Sequence, residues 1–142
     1  EDPDPGVTPK VDYGRFDVDS SASFRRSVYR WIFRTIPDPF MDSMDCPDSS
    51  QLAPQRNNSV TPLQALALLN NRFVVRQSEH LAERLAKAAS DLGAQIETAF
   101  ELAFGRKPTG EETKEFVGYA TRHGLANACR VILNSNEFMF VN

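Results

Sequence analysis

Asp42, Asp45 and Asp48 stand three apart in a stretch that also holds Ser43, Ser49 and Ser50. Carboxylates and hydroxyls at this density are the hard oxygen donors that calcium selects, but no central glycine or closing glutamate follows at EF-hand spacing. Aspartates in irregular segments also hydrogen-bond their own backbone, and that reading assigns no metal site here. Arg25, Arg26 and Arg56 supply paired N–H donors. They either fasten this stretch to the first helix by meeting Asp45 and Asp48, or grip an anionic group such as a sulfate or carboxylate. Fastening is preferred, and Asp45, Asp48 and Arg56 are assigned as loop anchors or, failing that, a ligand site.

The two histidines, His80 and His123, fall on polar faces. His123 directly precedes Gly124, where a charged imidazole would face a helix C-terminus. The chain has no His-Glu-x-x-His, no nucleophile elbow and no phosphate-cradling glycine loop, so hydrolase and nucleotide readings lack local support and no catalytic residue is assigned. Acid pairs for glycosidic cleavage leave no spacing pattern. A carbohydrate-binding or carbohydrate-active site formed by Asp45, Asp48, Arg26 and Arg56, shared with a neighbouring domain, is therefore the alternative reading.

These residues need a scaffold, and the 142-residue chain is long enough to build one: 41% of it is hydrophobic and 25% charged, the makeup of a globular domain with a real core. A formal charge of −3 gives no electrostatic reason to approach nucleic acid or an anionic membrane. No apolar run approaches the roughly 20 residues needed to span a bilayer. Cys46 and Cys129 are either a disulfide of an oxidising compartment or two small core residues. The first residue is Glu1, so the chain reads as a processed product or a piece of something longer.

Residues 1–22 hold Pro3, Pro5 and Pro9 among acidic residues and read as an extended arm or linker, with a helical domain over 23–142. Phe24, Val28, Trp31, Ile32 and Thr35 share one face of a first helix that Pro37 and Pro39 end. Its other face carries Arg26, Arg30 and Arg34, with Tyr29 and Phe33 beside them, and Arg26, Tyr29, Arg30 and Phe33 form a candidate interaction surface. A long ordered loop is expected from Pro37 to Val60.

Thr61 to Asn70 then combines a capping box, a proline at the first helical position and apolar residues on nearly every side. That pattern predicts a central, buried helix. Later helices are expected over Phe73–Ala89, Leu92–Phe104 with Gly105 as its stop, from a Thr109/Glu112 capping box to Gly124, and from Leu125 to Leu133. The terminal Phe138-Met139-Phe140-Val141 should dock as an extended strip. The fold class is all-α: an irregular bundle of five or six helices around the Thr61–Asn70 helix, with an extended N-terminal arm.

Taken in order, Phe24-Arg25-Arg26-Ser27-Val28-Tyr29-Arg30, Met44-Asp45-Cys46-Pro47-Asp48, Thr61 to Asn70, and Cys129 to Phe138 resemble the planctomycete-specific C-terminal domain catalogued as domain of unknown function 1553. The resemblance spans residues 24–142. It implies a large, exported bacterial parent, often with a cytochrome-c-type haem domain upstream, and an extracytoplasmic location. It implies no established activity and no catalytic residue. Many relatives have Phe-Asp-Ala-Pro-Asp where this chain has Met44 to Asp48. The haem-attachment Cys-x-x-Cys-His is absent from this sequence, so this segment is expected to hold no cofactor, and any haem belongs elsewhere in the parent. Ile96 to Phe138, with its Ala-Phe-Gly-Arg-x-Pro-Thr turn and closing Leu-Asn-Ser-x-Glu-Phe, is also similar to helical repeats of other secreted bacterial proteins. The resulting expectation is a non-catalytic structural or interaction module whose partner is the upstream domain of the same polypeptide, with a glycan partner under the alternative.

Overall fold

A computed structural model describes residues 12–15, 17–21, 24, 29, 36–44 and 61–140. Compactness divides the chain into two units, Glu1–Arg56 and Asn57–Asn142.

In the first unit, the Asp12 carboxylate accepts the Gly14 N–H at 2.9 Å and closes a single 3₁₀ turn, Tyr13–Arg15, within the arm expected to be extended. The Tyr13 hydroxyl donates to the Ile36 carbonyl at 2.5 Å. A one-turn helix, α1 (Pro39–Ser43), interrupts the expected loop. Asp38 caps it by accepting from the Phe40 and Met41 N–H groups at 2.9 and 3.4 Å, and Pro39 fills the first turn, where a missing donor costs nothing. Asp42 accordingly sits on a helix with its side chain exposed. The rest of the loop, from Asp45, and most of the expected first helix lie outside the described residues.

Among its described residues the second unit contains six helices: α2 (Pro62–Asn70), α3 (Arg72–Ala88), α4 (Leu92–Phe104), α5 (Gly110–His123), α6 (Leu125–Leu133) and α7 (Asn136–Met139). No strand element occurs among the described residues, and the all-α class holds. Both expected capping boxes are formed. The Gln64 N–H donates to the Thr61 hydroxyl at 3.2 Å while Gln64 Oε1 accepts the Thr61 N–H at 2.9 Å. Thr109 and Glu112 repeat the exchange at 3.2 and 2.7 Å. Each cap is worth about 1 kcal/mol. Gly105 ends α4 at φ 69°, in the left-handed region that a side chain would strain.

The core is assembled from α3 to α6: Ala82 and Leu85, then Ile96, Ala99 and Phe100, then Ala120, then Ala128, Cys129 and Ile132. α3 lies chiefly against α6. Phe100 is the hub of an aromatic cluster, edge-on to Phe104 and Phe116 with centroids 5.0 and 5.1 Å apart. On α3 the buried stripe runs through Ser78, Ala82 and Leu85.

α2 overturns an expectation. It is a helix with the predicted boundaries and caps, but it is not the centre of the bundle: only Gln64 and Leu68 of its residues are buried. A segment apolar on every side carries no information about which face is covered. The places beside α3 that would bury it are taken by α4 and α6. The C-terminus departs similarly. Residues expected as an extended strip form the single turn of α7, because Ser135 caps it by accepting the Phe138 N–H at 3.3 Å.

Candidate interaction surface and ionic clasp

α2 is held to the second unit by few contacts. Leu68 is buried, and the Arg130 side chain of α6 donates from Nε to the Leu69 carbonyl at 2.7 Å, with Nη2 bonded to the same oxygen. The cation thus satisfies a carbonyl left free at the end of the helix and sits at its negative pole. The other side faces solvent: Leu63 is 67% exposed, Leu66 59% and Leu69 43%. Pro62 and Ala65 beside them are exposed as well, and no residue of α2 is charged. This is an uncharged, apolar stripe two turns long. Scattered exposed leucines need no explanation, but three on one short helix do.

Beside the stripe runs a groove of about 430 Å³. Ala65, Leu68 and Leu69 of α2 line one side, and Asn134, Asn136 and Met139 of the α6–α7 turn and α7 line the other. The Asn134 Nδ2 group donates to the Arg130 carbonyl at 2.7 Å, while its Oδ1 is buried with no hydrogen-bond partner.

α7 is tied down by Arg106, in the turn after α4. Its guanidinium makes two bonds to each of two carboxylates: Nε and Nη2 to Glu137 at 2.6 and 2.8 Å, Nη1 and Nη2 to Glu112 at 3.0 and 2.8 Å. The same group lies over the Phe100 and Phe104 rings, 5.4 and 5.6 Å from their centroids. Hydrogen bonds from Arg106, helped by the Thr109 N–H, hold the Glu112 carboxyl down at about 2. The Arg106 bonds lower Glu137 as well, and those two carboxylates, Glu137 first, raise Arg106 above its usual range. All three side chains are partly open to water, so solvent screens the clasp. The Gly-Arg turn and the Ser-x-Glu-Phe ending are two halves of one device. The spacing of thirty-one residues between Arg106 and Glu137 left no local signal for it.

Of the surface assigned from the sequence, Tyr29 is exposed, whereas Arg26, Arg30 and Phe33 lie outside the described residues. So do the loop anchors Asp45, Asp48 and Arg56, and Cys46. Cys129 is a free thiol in the core, pushed up to about 12 by burial, which makes it inert as a nucleophile. His80 lies 3.9 Å from Glu83, and His123 stacks on Tyr119 with ring centroids 4.6 Å apart. Among the described residues no group of His, Cys, Asp and Glu is arranged to hold a metal, and no helix is long and apolar enough to cross a membrane.

Fold and surface thus define an all-α domain with an uncharged apolar helix on its outside. The family model PSD1, described as a protein of unknown function (DUF1553), matches residues 3–120, and the chain belongs to that family. The match takes in the N-terminal arm and stops inside α5, so the Cys129–Phe138 motif lies beyond it. No curated protein and no solved structure matches the chain.

Proposed function

We propose that this domain is a structural interaction module that packs through α2 against another domain of the same polypeptide. The observation that carries the reading is the exposed Leu63, Leu66 and Leu69 stripe. Burying a fully exposed leucine is worth roughly 1.5–3 kcal/mol, and the part of that gain that belongs to the exposed surface of these three is left unused by the domain on its own. The absence of any charge on α2 selects the occupant. Transient partners meet through surfaces with a polar rim, whereas permanent interfaces resemble a core cut in half, as two domains joined in one chain can maintain. The exposed Tyr29, with Arg26, Arg30 and Phe33 near it in sequence, extends the same reading to the first unit. The parent this reading calls for is a multidomain exported protein, in keeping with the family resemblance.

Hydrogen exchange of the Pro62–Asn70 amides, compared between this chain and the whole parent protein, tests it. Exchange at least tenfold slower in the parent, and restored by Leu66→Asp, is expected. Equal rates in the two proteins would overturn the reading. Affinity of the chain for a glycan panel, abolished by Asp45→Ala, would replace it with carbohydrate binding.

A further inference from the structure

Glu137 and its partner differ in how firmly each is held. Arg106 is braced from two sides, by Glu112 and by the Phe100 and Phe104 rings. Glu112 is itself fixed by the α5 capping box. Glu137 rides on a four-residue helix with no buried residue, joined to α6 through Asn134 and Ser135. One-turn helices do not hold themselves together, because the entropy of nucleation is not repaid within a single turn. α7 nevertheless supplies Asn136 and Met139 to the wall of the groove along α2. The bidentate Arg106–Glu137 contact is the side-chain tie between α7 and the turn after α4, and it is charge-assisted and directional.

We propose that residues 135–140 form a strap, pivoting at Asn134 and Ser135, that the Arg106–Glu137 clasp latches shut and that on release opens one side of the groove along α2. The charged groups around the latch are Arg106, Glu112 and Glu137. Neighbouring Lys107 is engaged elsewhere, 2.5 Å from Glu97 and 3.9 Å from Glu101 of α4. Because Arg106 keeps Glu112 when Glu137 leaves, the open state strands no unpaired cation. The strap therefore opens without disturbing the core, and this inference is independent of what covers the leucine stripe.

Backbone ¹⁵N relaxation on the 142-residue chain reads the strap directly. In the wild type, Glu137 to Met139 should share the rigid order parameters of α6, about 0.85, and Glu137→Gln should lower them below about 0.6 while α3 to α6 stay unchanged. Arg106→Lys, which keeps the charge but loses the fork, should fall between. Salt near 1 M, where the screening length is about 3 Å, should loosen the wild-type strap and leave the Glu137→Gln variant as it was. A rigid strap in Glu137→Gln would overturn the proposal by assigning the hold to apolar contacts. Loosening that spreads through α5 and α6 would overturn it equally, since the clasp would then be part of the core.

Discussion

Leu85 and Leu66 are the same residue in the same secondary structure, yet Leu85 of α3 is fully buried in the core while Leu66 of α2 is largely in water. α3 to α6 bury one face each and close on one another around Phe100. α2 has as complete a capping box as α5 and carries no charged residue, and still lies at the margin. The contrast teaches that helix formation and helix burial are separate decisions. Caps and propensity settle the first locally, whereas the second depends on which neighbours are left to pack against.

The contrast breaks most sharply at the core. Phe100→Ala should cost about 3–5 kcal/mol in urea unfolding, because it removes the hub ring and leaves a cavity that its neighbours cannot fill. Ile96→Val, a gentler probe of the same packing, should cost about 0.5–1.5 kcal/mol. A negligible loss at both positions would mean that the two regions do not differ as described.

An intermediate effect is expected at the clasp, and it depends on pH. Glu112, held at about 2 in the folded chain against an ordinary value near 4.5, favours folding while ionised. Its contribution is complete above about pH 4.5 and drains away as pH falls toward 2; Glu137, lowered by the same arginine, acts in the same direction. Thermal melts of Glu112→Gln should therefore show a shallower loss of Tm between pH 4.5 and 2 than the wild type, with the two curves closest at the acid end. Parallel curves would place the acid sensitivity elsewhere.

The smallest effect belongs to the stripe. Leu66→Ser should change the stability of this chain by no more than about 0.5 kcal/mol, as for other exposed positions without special contacts. A loss comparable with that of Ile96→Val would show that Leu66 is covered in solution.

Much of this architecture is legible without coordinates because its signals are short. Thr61 with Gln64 and Thr109 with Glu112 announce two helix starts within four residues each, and Gly105 announces a stop. The Asp38-Pro39 pair carries the same kind of start signal, but a proline that follows a helical pattern serves equally as a stop. The clasp was not legible. Arg106 and Glu137 each look like ordinary surface charges, and nothing in a one-dimensional spacing marks them as partners across two intervening helices. The candidate loop anchors Asp45, Asp48 and Arg56 lie outside the described residues and leave the contrast between α2 and the core unaffected.

The sequence by itself determined that this is an all-α chain, where most of its longer helices begin and end, and which family it belongs to, because caps, stops and motifs act over one or two turns. Only the tertiary structure decided that α3 to α6 form the core, that the leucines of α2 face outward, and that one arginine ties two distant carboxylates. Those outcomes depend on competition among helices for a limited buried surface and on charges meeting through space, and neither is written in the order of residues along the chain.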